Sequence, residues 1–109
     1  MAKTKEDLSE LSFQLILHSG NARSCAMEAI ALQKQGKSGE AQDKLKEAEH
    51  EFVAAHKIQT ALIQQEVSGE KFEIPMLLIH AQDHLMTSMT TKDLAMEIVE
   101  LHEKIQRNQ

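Results

Sequence analysis

The sequence predicts an all-α protein, an up-down-up antiparallel three-helix bundle. Three observations predict it. Ala, Leu, Gln, Glu, Lys and Met dominate the 109 residues, and aromatic residues are 3%, all of them Phe. Such a composition favours helix and disfavours strand. Turn punctuation is confined to two stretches, Gln35-Gly36-Lys37-Ser38-Gly39-Glu40 and Ser68-Gly69-Glu70-Lys71-Phe72-Glu73-Ile74-Pro75. The three segments they delimit, Thr4–Gln35, Ser38–Ser68 and Pro75–Arg107, keep helical periodicity. Links this short make consecutive helices antiparallel. The length suits one domain spanning residues 1–109, with no fixed-period repeat.

The first helix spaces its apolar and small residues by threes and fours: Leu8, Leu11, Leu15, His18, Ala22, Cys25, Ala29 and Leu32. This is a coiled-coil-like seam. The second helix repeats it with Ala41, Leu45, Ala48, Phe52, Ala55, Gln59 and Leu62. Lys44, Glu47 and Glu51 read as its solvated opposite face. Pro75 is expected as the first residue of the third helix, where its missing N–H costs nothing.

The third helix differs. From Ile74 to Thr91 the only formally charged side chain is Asp83. One seam reads His80, His84, Thr87, Thr91, Leu94, Ile98, Leu101 and Ile105. A second, on the other side, reads Leu78, Leu85, Met89 and Met96. A helix apolar on two sides needs a second partner. Another copy of the chain is the simplest one, which predicts a homo-oligomer packed through this helix.

Composition excludes several classes. The formal net charge is −5 and no Lys/Arg cluster could track a phosphate backbone, so nucleic acid is not an expected partner. No apolar run reaches membrane-spanning length and the N-terminus lacks a signal-peptide core, so no direct membrane insertion is expected. A lone Cys25 fits a reducing compartment. The expected location is the cytoplasm.

The densest set of reactive groups is His80-Ala81-Gln82-Asp83-His84. His80, Asp83 and His84 share a face in adjacent turns near the positive end of a helix. Spacing alone leaves several readings open. His-x-x-Asp-His resembles an inverted zincin order, but the Glu and a third ligand are absent. A di-metal carboxylate bundle needs more than the single Glu47-x-x-His50. A neutral imidazole can also take a phosphoryl group. Histidines that merely bond their neighbours complete the set.

The run Ile79-His80-Ala81-Gln82-Asp83-His84-Leu85-Met86-Thr87 resembles the active-site signature of the lactose/cellobiose family of enzyme IIA components of the bacterial phosphoenolpyruvate-dependent sugar phosphotransferase system. Gly20-Asn21-Ala22-Arg23-Ser24 is similar to that family's first-helix signature. Ala55-His56-Lys57-Ile58-Gln59-Thr60, Leu62-Ile63-Gln64 and Ser68-Gly69-Glu70-Lys71 are similar to its second helix and exit turn. The resemblance covers nearly the whole chain. It implies a homotrimer of three-helix bundles and a phosphotransferase subunit. His80 would accept a phosphoryl group on Nε2 from the carrier HPr. It would pass the group to a Cys of enzyme IIB as the membrane component IIC imports a sugar. The resemblance further implies that Asp83 of three subunits holds a shared Mg²⁺, and that His84 and Gln82 lie close to the phosphoryl group. Three carboxylates converging on an axis repel unless protonated or bridged by a hard cation, so the metal would be structural. The Ala-Gln-Asp-His wording leans towards cellobiose- or chitobiose-type members over lactose-type ones.

Other residues are read more plainly. His18 is expected to be packed and bonded across the bundle, beside a close approach at Gly20. Arg23 reads as a surface or interface ion-pair former, and Cys25 as a small buried hydrophobe. His50 and His102 are expected to face solvent, and His56 is read either as structural or as near a subunit contact. The six methionines read as core or interface filler.

Overall fold

The computed structural model describes residues 4–109, so Met1, Ala2 and Lys3 of the charged N-terminal stretch lie outside the described residues. Among the described residues the chain is three helices and no strand: α1 (Lys5–Lys34), α2 (Ser38–Val67) and α3 (Met76–Arg107). They form a rod of 59 × 21 × 17 Å with a radius of gyration of 17.0 Å. A compact domain of similar length has a radius of about 13 Å, so the bundle is elongated, one helix long and about two helix diameters across.

The helix ends have local causes. Thr4 and Asp7 form a capping box: the Asp7 N–H donates to Thr4 Oγ1 and the Thr4 N–H donates to Asp7 Oδ2, each at 3.1 Å. Both turns close in the same way. Gly36 (φ 78°) and Gly69 (φ 104°) take the left-handed conformation that favours glycine. The N–H groups of Lys37 and Glu70 then return to the carbonyls of Leu32 and Gln65. These paired bonds satisfy carbonyls that the helix leaves open. Pro75 differs from expectation by one place. It is the extended residue before α3 (φ −75°, ψ 154°), and its carbonyl accepts from the Leu78 N–H at 3.1 Å.

The core follows a seven-residue period. Leu8, Leu15, Ala22 and Ala29 are fully buried on α1, and Ala41, Ala48, Ala55 and Leu62 are buried on α2. On α3 the buried positions are Leu78, Leu85 and Val99, with Ala81, Ser88 and Ala95 beside them. A strict seven-residue repeat keeps a seam facing its partner through a left-handed supercoil. Small residues dominate the facing rows, Ser12, Ser19 and Ala26 on α1 among them. They let backbones approach closely. The buried serines and Gln33 were not legible as core. Ser12 Oγ donates back to the Leu8 carbonyl at 2.6 Å. Gln33 Nε2 donates to Ser38 Oγ at 3.0 Å and to Gln106 Oε1 at 2.9 Å, and Gln106 Nε2 donates to the Gln33 carbonyl at 2.7 Å. Together they tie three helix ends.

One expectation needs correction. Lys44, Glu47 and Glu51 are not a solvated face opposite the seam. They flank α1: Lys44 Nζ lies 3.0 Å from Glu28, and Glu51 bonds His18. Of the methionines read as core or interface filler, among the described residues Met27, Met76, Met86 and Met96 are exposed and Met89 is half-buried. Within one protomer they therefore lie outside the core, and the interface half of that reading is the one left open. Lys92 occupies a core-register position on α3. Its ammonium lies over the Phe52 ring and 2.5 Å from Glu49, which holds its pKa above the ordinary lysine value.

Leu85 is fully buried in the main cluster. Leu85→Ala is expected to cost about 2–5 kcal/mol, read as a lower urea midpoint with an unchanged slope.

Candidate functional site

His80 stands just over one turn into α3 and is exposed. The sequence places it there because Pro75 breaks the preceding chain and Leu78, Ala81 and Leu85 turn inward. At 100° per residue those three fix every other direction on the helix. His84, one turn on, is half-buried. Its ring lies parallel to that of His80, within 3°, with centroids 6.3 Å apart. A Cβ built on Gly20 would sit 3.7 Å from His84 Nε2, so α1 approaches this imidazole closely without crowding it. The close approach expected at Gly20 is therefore to His84.

Asp83 is exposed on the outward side of α3. Its backbone carbonyl accepts from Thr87 Oγ1 at 3.1 Å, and the same hydroxyl reaches the His84 carbonyl at 3.2 Å. Farther along, Thr87, Leu94, Ile98, Leu101 and Ile105 are exposed on the same outward side. The second seam, by contrast, is drawn into the protomer at Leu78 and Leu85, while Met96 stays outside. The seam left open is thus the one that carries His80.

Gln82 is placed differently. It turns towards α2, where its Oε1 accepts from Gln59 Nε2 at 2.7 Å. Two residues on from His80 is about 200° round the helix, so Gln82 lies on the far side from the imidazole of its own chain. His80, Asp83 and His84 are brought to one side of α3, and Gln82 is not.

The metal readings can be weighed on the ligands. Among the described residues no three His, Cys, Asp or Glu side chains cluster closely enough to hold an ion. Each protomer offers one outward carboxylate, Asp83, in a row of uncharged side chains. A hard cation takes about six oxygen ligands, so Asp83 suits an ion only when several copies meet.

The other histidines do different work. His18 Nδ1 lies 2.6 Å from Glu51 Oε2 across α1 and α2. A carboxylate only accepts, so Nδ1 carries the proton in this bond. His18 is thus the packed, cross-bundle histidine expected. His50 is exposed, and His102 is half-buried where exposure was expected. His56 is exposed at a cavity of about 420 Å³ between α2 and α3, lined also by Phe52, Met89 and Lys92. Arg23 is exposed. Cys25 is half-buried rather than buried, and its thiol donates to Glu47 at 3.5 Å. Burial, followed by the Glu47 carboxylate, pushes its pKa up.

The family described as "PTS system, Lactose/Cellobiose specific IIA subunit" matches residues 10–103. The chain belongs to this family. A lichenan-specific phosphotransferase enzyme IIA component of Bacillus subtilis is 56% identical over 100 residues, which is 92% of this chain and 91% of that protein. The N,N'-diacetylchitobiose-specific IIA component of Escherichia coli is 41% identical over 92% of this chain and 86% of its own. The fold of the crystallised cellobiose-specific enzyme IIA of Bacillus anthracis superposes with a TM-score of 0.90 at 50% identity, covering 100% of this chain and 97% of that one. An E. coli IIA(chitobiose)–HPr complex in solution matches with a TM-score of 0.76 at 37% identity, over 91% and 96%. As a IIA component the chain is a phosphotransfer carrier of the sugar phosphotransferase system. No helix among its described residues is long and apolar enough to cross a membrane.

Within this IIA component the raised pKa of Cys25 predicts a sluggish thiol. Alkylation by iodoacetamide at pH 8 is expected to be slower than that of a free cysteine. Glu47→Gln is expected to narrow the gap, since it removes the charge that disfavours the thiolate.

Proposed function

We propose that His80 is the phosphoryl carrier of this chain, receiving the group from phospho-HPr and donating it to a cysteine of enzyme IIB. The observation that supports this most is the exposed His80 imidazole, set parallel to His84 on a side of α3 with no formal charge but Asp83. A related IIA component has been solved in complex with HPr.

The chemistry needs positioning more than acid–base work. The lone pair of neutral His80 Nε2 attacks phosphorus while the P–N bond of the donor breaks, its electron pair returning to the donor imidazole. A thiolate of the acceptor then attacks the same phosphorus. The new N–P bond breaks and its pair returns to Nε2. His84, held against α1 beside Gly20, lies on the side from which an imidazole can donate to a phosphoryl oxygen. Gln82 cannot do this for its own chain, so any contact it makes is to the phosphoryl group of a neighbouring copy.

The outward seam of Asp83, Thr87, Leu94, Ile98, Leu101 and Ile105 supports a homotrimer packed through α3. Three Asp83 carboxylates would then meet, and they are the residues that would hold Mg²⁺. Bound there, the ion would neutralise their repulsion and take no part in phosphoryl transfer. The carrier would work in the cytoplasm and meet the membrane component IIC only through IIB. Relatives named for lichenan, chitobiose and cellobiose support a β-linked disaccharide of the cellobiose or chitobiose type as the imported sugar.

Incubation with phosphoenolpyruvate, enzyme I and HPr at neutral to basic pH should add the mass of one phosphoryl group per chain. His80→Ala should remove the gain. An unchanged gain in that variant would overturn the assignment. Sedimentation equilibrium should give about three times the monomer mass, and a stable monomer at micromolar concentration would refute the seam. Asp83→Leu should keep the trimer and lose the cation.

A further inference from the structure

The geometry points to Thr87 as the residue that anchors the water shell of a cation shared by three Asp83 side chains, and that gives this site a preference for Mg²⁺ over Ca²⁺. It rests on the trimer reading above. Asp83 and Thr87 are one turn apart and about 40° apart round α3. Both are exposed on its outward side. The proton of the Thr87 hydroxyl is committed to its own helix. Oγ1 lies 3.1 Å from the Asp83 carbonyl oxygen and 3.2 Å from that of His84. A hydroxyl has a single proton, so Oγ1 can only accept from anything outside the helix. Bonding to the preceding turn also draws Oγ1 back towards Asp83. Thr90 repeats the pattern, its hydroxyl donating to the Met86 carbonyl at 3.3 Å. Asp83, Thr87 and Thr90 therefore face outward as acceptors alone.

The seam around them bounds the place. Towards the C-terminus it turns aliphatic at Leu94, which is 58% exposed, and continues through Ile98, Leu101 and Ile105. Towards the N-terminus the residue one heptad before Asp83 is Met76, whose thioether is a weak acceptor. Strong acceptors are thus on the Thr87 side of Asp83. Three copies meeting on this seam bring three carboxylates and three Thr87 oxygens to one axis. Mg²⁺ takes about six oxygen ligands in an octahedron, dehydrates reluctantly and keeps several waters. With one oxygen from each Asp83, the remaining places fall to about three waters. Each such water has protons to give, and one Thr87 oxygen per copy stands one turn on to receive them. Ca²⁺ takes about six to eight oxygens in flexible geometry, so it depends less on a fixed water shell. An anion would meet three carboxylates and no donor among these side chains.

The test uses the full chain stripped of metal by a chelator and titrated calorimetrically with Mg²⁺ and, separately, with Ca²⁺. Sedimentation reports the assembly. Thr87→Val keeps the branched shape and removes the acceptor, and Thr87→Ser keeps the acceptor. Thr91→Val is the control: Thr91 is half-buried, about 80° round the helix from Asp83, and its hydroxyl donates to the Thr87 carbonyl at 3.1 Å. Thr87→Val should weaken Mg²⁺ binding about ten- to hundredfold, and Ca²⁺ binding by a smaller factor, at unchanged assembly mass. Thr87→Ser and Thr91→Val should bind Mg²⁺ as the unmodified chain does. An unchanged Mg²⁺ affinity in Thr87→Val overturns the role of Thr87 and leaves the trimer and Asp83 standing. An equal loss in Thr87→Ser also overturns it, because shape and not the acceptor would then be the cause. Equal losses for Mg²⁺ and Ca²⁺ overturn the preference. A fall in assembly mass confined to Thr87→Val overturns the proposal too, since Thr87 would then hold the copies together. Absence of Mg²⁺ binding or of a trimer in the unmodified chain would instead sink the assembly reading, and the proposal with it.

Discussion

Leu78, Ala81 and Leu85 of α3 share one core cluster with Leu8, Leu15 and Ala22 of α1 and Phe52, Ala55 and Leu62 of α2. Side chains leave a helix at fixed angles, so burying these three positions decides what every other residue of α3 must face. His80, Asp83, Thr87, Leu94 and Leu101 have no inward option left and are exposed. The inward packing of α3 and the outward presentation of His80 are therefore a single constraint. A shift of one residue in the register would bury the imidazole and expose the leucines.

The narrow core makes that register strict. Alanine and serine fill much of the facing rows, which brings the backbones close and leaves little space for an alternative packing. The polar ties reinforce it. Gln33 and Gln106 fix the far end, His18 and Glu51 pin α1 to α2, and Gln59 holds Gln82 against α2 near the site. The last of these clears Gln82 from the outward side, where His80 and His84 stand with parallel rings. A phosphotransfer carrier gains from such a rigid platform, since little ordering is needed when a partner protein docks.

Much of this was legible in the sequence. The helices lie within two residues of the punctuation marks because both glycines adopt left-handed turns that only glycine takes easily. The α2 seam read correctly apart from half-buried Gln59. On α1 only Leu8, Leu15, Ala22 and Ala29 of the expected seam are core, whereas Leu11, His18, Cys25 and Leu32 are half-buried. The two seams of α3 were visible, but periodicity carries no information on which side meets α1, and only packing settles it. Buried Ser12, Ser19, Ser88 and Gln33 were missed because polar residues at core positions look like surface until their neighbours are known. Lys92 was missed for the same reason, its stem and charge being accommodated by Phe52 and Glu49. At the site, His80, Asp83 and His84 were legible from their spacing by threes and fours. Gln82 entered through resemblance, and helix geometry turns it away from its own His80.

The most direct test of this account asks which of the chain's six histidines carries the group and on which nitrogen. The protein labelled with ¹⁵N and phosphorylated by phospho-HPr would be followed through the imidazole nitrogens and their coupling to phosphorus. The account predicts coupling at Nε2 of His80 alone, with His18 still bonded to Glu51. Coupling at His84 or at any other histidine would contradict the claim that packing on the inner side of α3 exists to present His80 on the outer one.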